Sequence, residues 1–240
     1  MIAIGVIPAR YASTRFPGKP LARIAGKSLI ERVYSQTVKA DLRKVIVATD
    51  DKRIADEVRS FGGNFILTGE HPSGTDRIAE AVKNEKCDIV VNVQGDEPLI
   101  EPEIINTVVR VLKENKPADI STAAAKIGDA REITDPNVVK VVFTVDGRAL
   151  YFSRSTIPYS RNENQIYYKH IGIYGYRKEF LKTFVSLPRS SMEISESLEQ
   201  LRLLENGYHI QVALVDYSPI GVDTPEDVIR VEEVIKKYLK

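Results

Sequence analysis

Short apolar runs alternate with amphipathic segments along the first half of the chain. The runs are almost continuously apolar and rich in β-branched residues, which is typical of strands buried on both faces of a parallel sheet. We predict four such strands, over residues 2–7, 44–48, 64–67 and 88–93. Apolar positions at helical spacing predict the helices that separate and follow them, over residues 28–39, 52–61, 75–86 and 102–115. This alternation predicts an α/β fold with a mostly parallel sheet.

The pattern changes in the middle of the chain, where predicted strands follow one another without long helices between them. These strands cover residues 120–125, 138–144, 149–153 and 169–176. Asp146-Gly147 between two of them is a strong hairpin signal. We therefore predict an antiparallel insertion in an otherwise parallel sheet.

The last part of the chain returns to helices and one strand. We predict two short helices over 180–185 and 197–204 and a strand over 209–214. Thr224-Pro225 then opens a closing helix that reaches about Leu239, with Thr224 at the N-cap and Pro225 at the first helical position. No linker or repeat interrupts the sequence, so a single domain over residues 1–240 is expected.

Composition and charge exclude several classes of protein. The formal net charge is only +1 over 240 residues, which argues against a nucleic-acid-binding surface. Cys87 is the only cysteine, so no internal disulfide forms and a reducing compartment is expected. The N-terminus lacks the pattern of a signal peptide, and no apolar run approaches the ~20 residues of a membrane span. We expect a cytoplasmic protein with no nucleic-acid partner and no stable membrane association.

The loop after the first predicted strand carries the first candidate chemistry. Residues 8–20 contain Arg10, Arg15 and Lys19, several prolines, Gly18 and no carboxylate. A loop in this place lies at the carboxyl edge of the sheet, where ligands of α/β proteins bind. Cationic side chains on a loop made rigid by prolines suit a polyphosphate ligand. The alternative is a solvated surface loop.

Other phosphate-binding loops are excluded by their own patterns. The Walker motif requires a glycine where Leu21 stands before Gly26-Lys27-Ser28. No G-x-G-x-x-G follows a predicted strand, so the dinucleotide-binding fingerprint is missing from the sequence as well.

Two aspartates are candidate metal ligands at the same edge of the sheet. Asp96 follows the strand 88–93, and Asp223 precedes the closing helix. Carboxylates beside bound phosphates suit a hard dication such as Mg²⁺. The alternative is helix capping, by Asp96 or Glu97 for the helix near residue 101 and by Asp223 for the closing helix. Spacing alone does not show that the two aspartates meet.

The segment His71-Pro72-Ser73-Gly74-Thr75-Asp76-Arg77 runs into a predicted helix N-terminus. The free backbone amides at such a terminus favour an anionic or polar ligand group. The alternative is an ordinary helix start, capped by Thr75 or Asp76.

The middle of the chain holds a second set of polar candidates: Arg154, His170, Tyr174, Glu199 and Gln200. An arginine matches a carboxylate, and the other side chains offer hydrogen bonds to a hydroxylated ligand. The apolar neighbours of Glu199 and Gln200 face the core, so we expect this polar pair to face a cavity. His170 as a satisfied core residue and Tyr174 as a packing residue are the alternatives.

Taken together and in order, these motifs resemble those of the sugar nucleotidyltransferases, most closely the CMP-Kdo synthetases (3-deoxy-manno-octulosonate cytidylyltransferases). The resemblance covers nearly the whole chain. The segments that carry it are residues 8–20, 48–50, 71–77, 92–98, 151–154, 170–176, 198–202 and 221–227. Between them, the loop 162–165 is shorter than in these relatives.

The resemblance implies a fold, a reaction and an assembly. The fold is a Rossmann-like nucleotidyltransferase sheet in which residues 1–117 mainly bind nucleotide. Residues 118–208 mainly bind the sugar and form the dimer, and residues 209–240 supply a metal aspartate and the closing helix. The reaction transfers a cytidylyl group from CTP to Kdo and yields CMP-Kdo and pyrophosphate for lipopolysaccharide biosynthesis. The expected assembly is a homodimer.

The resemblance also implies roles for individual residues. Lys19, Asp96 and Asp223 would be catalytic, and the two aspartates would hold Mg²⁺. The predicted nucleotide-binding residues are Pro8, Ala9, Arg10, Ser13, Arg15, Lys19, Ser73, Gly74, Arg77 and Gln94. The predicted sugar-binding residues are Gln94, Arg154, His170, Tyr174, Glu199 and Gln200.

Two alternative functions remain at this point. A CMP-sialate synthetase shares the character of the first loop, whereas residues 151–154 and 198–202 look more like the Kdo enzymes. A non-catalytic nucleotide-binding regulator would share the fold, but the presence of both Asp96 and Asp223 argues against it.

Overall fold

A computed structural model describes residues 1–12, 16–161, 165–217 and 219–238. The chain divides into two compact units. The first comprises Met1–Asn106 and Pro219–Lys240, and the second comprises Thr107–Ser218.

The first unit is built on parallel strands. Its principal strands are β1 (Ala3–Ala9), β4 (Val45–Thr49), β5 (Phe65–Leu67) and β6 (Ile89–Asn92), and a small hairpin pairs β2 (Arg23–Ile24) with β3 (Lys27–Ser28). The parallel strands run in the order β6-β1-β4-β5. Because β1 lies between β4 and β6, the loop that follows β1 leaves from the middle of the carboxyl edge.

Helices with one apolar face accompany these strands. They are a 3₁₀ turn (Lys19–Leu21), α1 (Leu29–Thr37), α2 (Lys52–Ser60), α3 (Gly74–Ala81), α4 (Pro102–Glu114), which continues into the second unit, and α9 (Pro225–Tyr238). Ser28 is the N-cap of α1, since its hydroxyl accepts from the Glu31 amide at 3.2 Å. The helix α3 is shorter than predicted and ends at Ala81.

The second unit carries the antiparallel strands. Its elements are β7 (Ile120–Lys126), α5 (Ala130–Thr134), β8 (Lys140–Phe143), β9 (Ala149–Ser153), β10 (Tyr168–Arg177), α6 (Lys178–Ser186), α7 (Ser191–Glu196), α8 (Leu201–Glu205) and β11 (Ile210–Leu214). The strand β10 is antiparallel to both β7 and β8, while β11 joins β7 in parallel. Gly147 turns the β8–β9 hairpin with φ +84°, as Asp146-Gly147 predicts. The predicted α/β class with antiparallel strands in the middle of the chain is confirmed.

The helix predicted over 197–204 has the wrong start. Only its last part is helical, since α8 covers Leu201–Glu205. A second helix that the pattern did not predict, α7 (Ser191–Glu196), comes before it and ends at Ser197, which adopts the left-handed conformation (φ +52°). The hydrophobic pattern conceals α7, because its apolar residues Met192 and Ile194 are exposed while Glu193 is buried. What starts α7 is a capping box between Ser190 and Glu193.

Candidate active site

A cavity of about 380 Å³ opens in the first unit where β1 and β6 end. It collects side chains from the cationic loop, the α3 N-terminus, the segment after β6 and the segment before α9. The lining residues are Pro8, Ala9, Arg10, Lys19, Pro20, His71, Pro72, Ser73, Gly74, Arg77, Gln94, Gly95, Asp96 and Asp223. Tertiary structure thus brings together all the predicted nucleotide, catalytic and metal residues that the structure describes. Ser13 and Arg15 lie outside the described residues.

The Lys19 ammonium lies between the two candidate metal aspartates. Its Nζ is 3.0 Å from Asp96 Oδ2 and 3.2 Å from Asp223 Oδ1. The Val222 amide donates to the Asp96 carbonyl at 2.9 Å, which joins the two loops that carry these carboxylates. Two aspartates 127 positions apart therefore converge on one cation.

The local backbone explains how Lys19 arrives there. Gly18 adopts φ +73°, a left-handed conformation that favours glycine, and its amide donates to the Tyr11 carbonyl at 2.9 Å. Gly95 permits a close backbone contact at the same edge of the sheet. A Cβ at Gly95 would lie 3.0 Å from the Pro8 carbonyl oxygen, so the glycine lets the segment after β6 pack against the end of β1.

The capping alternative for Asp223 concerns the start of α9. The start of α9 is instead organised by Asp227, whose carboxylate accepts from the Asp223 amide at 2.9 Å and the Thr224 amide at 3.0 Å. Hydrogen bonds from these amides help to keep the pKa of Asp227 below its ordinary value, although burial acts in the opposite direction. The Asp223 carboxylate itself lines the cavity, where its Oδ1 meets the Lys19 ammonium.

The two carboxylates suit a magnesium ion by their chemistry. Magnesium in phosphate-transferring sites takes one or two carboxylates and completes its shell with phosphate oxygens and water. The convergence of Asp96 and Asp223 on the Lys19 ammonium shows that a cation is accommodated at this point. Among the residues described, no group of three or more His, Cys, Asp or Glu forms a metal cluster, so substrate oxygens would have to complete the shell.

Two further cavity residues differ in how much of their charge remains available. The Arg10 side chain is exposed, and it makes no hydrogen bond or ion pair within the described part of the chain. Arg77 is buried, and its guanidinium binds Asp50 Oδ2 and Thr68 Oγ1, each at 2.6 Å. Arg10 is thus the cation freer to meet a phosphate, while Arg77 shapes the wall of the cavity.

The α3 N-terminus opens on the same cavity. Ser73, rather than Thr75 or Asp76, is the N-cap: its hydroxyl accepts from the Asp76 amide at 3.1 Å and donates to Asp76 Oδ2 at 2.6 Å. Ser73 therefore has a structural role in addition to any contact with nucleotide. Gly74 and Gln94 line the cavity beside it.

His71 lines the cavity although it is not among the predicted site residues. Its Nε2 is hydrogen-bonded to the Glu80 carboxylate on α3, and this bond is the largest cause of a lowered pKa at Glu80. The histidine already stood in the recognised segment 71–77. Its pairing with Glu80, however, is a tertiary contact that spacing does not reveal.

In the second unit, β10 brings two predicted sugar-binding residues side by side. The ring centroids of His170 and Tyr174 lie 5.4 Å apart. The Phe152 ring packs edge-on against His170, with 5.0 Å between their centroids. Burial lowers the pKa of His170 to about 3, so the imidazole is neutral near pH 7. Burial likewise raises the pKa of the Tyr174 hydroxyl well above its ordinary value.

Arg154 is held in place by α7. Its Nε donates to the Glu196 carbonyl at 2.7 Å, and its backbone amide donates to Glu196 Oε2 at 2.9 Å. A further guanidinium nitrogen reaches the Pro136 carbonyl at 3.0 Å. The fully buried Lys140 ammonium binds the Arg154 carbonyl at 2.7 Å, so the backbone here is fixed from two sides.

Gln200, at the start of α8, has an unsatisfied polar group. The residue is 5% exposed, and its Nε2 is buried without a hydrogen-bond partner in the described structure. Buried donors are nearly always paired, so this amide is a candidate to donate a hydrogen bond to a bound substrate. In the neighbouring residue, Glu199, the carboxylate Oε1 lies 3.9 Å from a guanidinium nitrogen of Arg202. The assignment of these residues to the sugar, like that of the cavity residues to nucleotide and metal, stays a prediction.

Comparison with known proteins agrees with the predicted family. The cytidylyltransferase family model matches residues 4–211. A Thermodesulfovibrio yellowstonii protein named 3-deoxy-manno-octulosonate cytidylyltransferase is 49% identical over 99% of this chain and 100% of its own length. A protein of the same name from Syntrophus aciditrophicus is 51% identical, with 96% of both chains covered.

The fold of this chain is also similar to that of a solved structure. It is described as CMP:2-keto-3-deoxy-manno-octonic acid synthetase complexed with CTP, and it superimposes with a TM-score of 0.95 at 42% identity. The match covers 99% of this chain and 100% of that one. Sequence identity of this level extends over nearly the full length of the compared chains, and the fold agrees with it. The chain therefore belongs to the 3-deoxy-manno-octulosonate cytidylyltransferase family.

Proposed function

We propose that this protein is an enzyme that transfers a cytidylyl group from CTP to 3-deoxy-manno-octulosonate (Kdo), giving CMP-Kdo and pyrophosphate. The observation that carries the proposal is the convergence of Lys19, Asp96 and Asp223 in the cavity. A regulator without turnover needs the cavity but not two carboxylates directed at one cation.

The chemistry is a nucleophilic substitution at phosphorus. The anomeric hydroxyl oxygen of Kdo forms a bond to the α-phosphorus of CTP, the bond from that phosphorus to the bridging oxygen breaks, and the hydroxyl proton passes to solvent. Phosphoryl-group transfers of this kind depend on positioning and on charge stabilisation rather than on covalent catalysis. The described cavity supplies both requirements through its shape and its cations.

Each cavity residue then has a task. Arg10 and Lys19 neutralise charge on the departing pyrophosphate. Asp96 and Asp223 would hold Mg²⁺, as their chemistry fits. When bound, that ion supplies positive charge that lowers the pKa of the attacking hydroxyl. Lys19 balances the two carboxylates in the free enzyme and moves its ammonium toward phosphate oxygens when the nucleotide binds.

The sugar side uses residues of the second unit. Arg154 is the candidate partner of the Kdo carboxylate, because its charge is permanent and its planar fork matches a carboxylate. Gln200 is the strongest candidate for reading a sugar hydroxyl, since its buried Nε2 lacks a partner within the described structure. Tyr174 and Glu199 would add further hydrogen bonds.

The setting of the enzyme is part of the proposal. We place it in the cytoplasm, as a homodimer that feeds lipopolysaccharide assembly. The single cysteine, Cys87, and the family's usual assembly support this placement. No helix within the described ranges has the length and apolar character to cross a bilayer.

The test is pyrophosphate release from CTP in the presence of Mg²⁺ and a panel of acidic sugars. Turnover with Kdo and not with sialate supports the proposal, while sialate-dependent release supports the CMP-sialate alternative. CTP binding without release under any sugar would support the regulator. Asp96→Asn serves as the inactive reference, and Asp41→Asn, an exposed aspartate of the same unit, serves as the matched control.

A further inference from the structure

A buried threonine stands behind His170 in the second unit. Thr122 on β7 is 0% exposed, and its hydroxyl oxygen lies 2.9 Å from His170 Nε2. The same oxygen lies 2.8 Å from the Ile173 carbonyl and 3.3 Å from the Ile171 carbonyl. These carbonyls come together because the register of β10 against β7 shifts between Ile171 and Tyr174.

The hydrogens available decide the direction of the bond to His170. A threonine hydroxyl has one hydrogen to donate, and a carbonyl oxygen only accepts. Donation to the nearer carbonyl, that of Ile173, satisfies both groups and leaves the Thr122 oxygen as an acceptor. His170 Nε2 must then carry a hydrogen and donate it to Thr122. If Thr122 donated to His170 instead, its oxygen would face two carbonyl oxygens without a hydrogen between them.

The other ring nitrogen follows from the first. Burial lowers the pKa of His170 to about 3, so near neutral pH the ring carries a single N–H hydrogen. With that hydrogen on Nε2, the Nδ1 atom presents a lone pair. Nδ1 makes no hydrogen bond to any residue that the structure describes, and the His170 side chain is only half-buried. It is therefore an acceptor available to a ligand hydroxyl.

We propose that Thr122 is a positioning residue that fixes the Nε2–H tautomer of His170, so that Nδ1 accepts a hydrogen bond from a hydroxyl of the acceptor sugar. The inference rests on the proposed function, in which His170 binds that sugar. It also separates the roles of the polar residues. His170 reads a hydroxyl as a neutral acceptor and does not serve as the counter-charge of the sugar carboxylate.

The first test is nitrogen-15 NMR of histidine-labelled protein without substrate. The sequence holds three histidines, so spectra of His71→Gln and His209→Gln assign the His170 signals by difference. We expect a proton-bearing Nε2 and a bare Nδ1 at pH 7. A proton on Nδ1, or a doubly protonated ring, overturns the proposal whatever reaction the enzyme performs.

The second test is kinetic. Thr122→Val keeps the shape and removes the hydroxyl, and it should raise KM for Kdo about tenfold while leaving KM for CTP unchanged, because one neutral hydrogen bond is lost. Thr122→Ser should restore both the kinetics and the NMR tautomer. The control is Thr37→Val in the first unit, another fully buried threonine, whose hydroxyl binds the Val33 carbonyl.

The two tests distinguish failure of this inference from failure of the proposed function. An enzyme that turns over Kdo normally in Thr122→Val, with an unchanged tautomer, refutes the role of Thr122 alone. A protein that uses no Kdo refutes the proposed function, while the NMR result still decides the tautomer. If Thr122→Val does not fold, Thr122→Ala provides the kinetic measurement, and the wild-type spectrum remains decisive.

Discussion

Arg202 and Glu193 form a buried, bidentate ion pair between α7 and α8. Arg202 donates from Nε to Glu193 Oε2 and from NH2 to Glu193 Oε1, both at 2.7 Å. Since Glu193 also closes the capping box of α7, one carboxylate organises the start of one helix and anchors the next. Glu199 and Gln200 lie just before α8, so this pair fixes the segment that carries them.

Breaking this ion pair should destabilise the protein and impair sugar binding. Arg202→Met removes the buried partner of a carboxylate whose side chain is 6% exposed and leaves it the exposed Arg189, at 3.3 Å, as an ion-pair partner. Breaking a buried pair of this kind costs up to about 3–5 kcal/mol. We expect a lower free energy of unfolding, measured by denaturant titration, and a raised KM for Kdo. Lys182→Met, which breaks an exposed pair with Glu179, should change neither by more than a small amount.

The unpaired Gln200 amide predicts opposite effects on stability and on activity. Gln200→Met removes a buried donor that lacks a partner in the described structure, so the free energy of unfolding should stay the same or rise by up to ~1–3 kcal/mol. The KM for Kdo should nevertheless rise about tenfold or more, because the sugar loses a hydrogen bond.

Gln211 provides the matched control for that experiment. It is equally buried, but its amide binds Asn115 Nδ2 at 2.7 Å and the Asp146 carbonyl at 2.5 Å. Gln211→Met should therefore destabilise the protein. A similar loss of stability in Gln200→Met would mean that Gln200 is a structural residue and not a sugar ligand.

The site around Lys19 predicts separate effects on turnover and on nucleotide binding. Asp223→Asn should lower kcat by about 10²–10³-fold with the fold intact, since a lost stabilising contact of this kind costs ~2.7–4 kcal/mol. Lys19→Ala should weaken CTP binding in calorimetric titration with Mg²⁺. Near-normal turnover in Asp223→Asn would mean that Asp223 is not a metal ligand and only lies next to the start of α9.

Arg154 should discriminate between the two substrates. Arg154→Ala is expected to raise KM for Kdo strongly and leave KM for CTP nearly unchanged, in steady-state kinetics with each substrate varied in turn. Some loss of stability should accompany it, because the guanidinium also binds the Glu196 and Pro136 carbonyls. Arg161→Ala, at an exposed arginine, is the control. Equal increases in KM for Kdo and for CTP would mean that Arg154 contacts the phosphates of CTP rather than the Kdo carboxylate.

His170 predicts a specific acid sensitivity. Its pKa falls from an ordinary 6.5 to about 3 on folding, so between these values the unfolded chain binds a proton that the folded chain does not. The stabilisation is complete above pH 6.5 and is lost as the pH falls toward 3. His170→Asn should flatten the dependence of the unfolding free energy on pH in this window.

Glu193 adds a second acid-sensitive contribution at lower pH. Burial alone would raise its pKa, but the hydrogen bond from Arg202 and that from the Ser190 amide outweigh burial and lower it. Stability from this group is therefore present above the ordinary glutamate pKa and declines only below it. Because Glu193 contributes only below the ordinary glutamate pKa, the window between pH 6.5 and 4.5 tests His170 alone. If the free energy of unfolding of His170→Asn falls across this window as much as that of the wild type, the imidazole is not held neutral by burial.

Local sequence patterns were enough to predict the class of fold and the edge of the sheet at which the cationic loop lies. Nearly continuous apolar runs such as residues 2–7 predict burial on both faces, and Asp146-Gly147 predicts a tight turn, so local chemistry suffices for both. Through its motifs the sequence also determined the family. Its pattern failed at α7, where the exposed Ile194 and the buried Glu193 invert the usual rule.

The contacts between distant residues could not be predicted from the sequence and became visible in the folded chain. Lys19 and Asp223 are 204 positions apart, and no local periodicity reports such a contact. The same holds for the Thr122 hydroxyl, whose position behind His170 depends on a register shift between two strands. Propensity and patterning act over a few residues, whereas the direction of a hydrogen bond and the neutrality of a buried ring depend on neighbours that packing alone brings together.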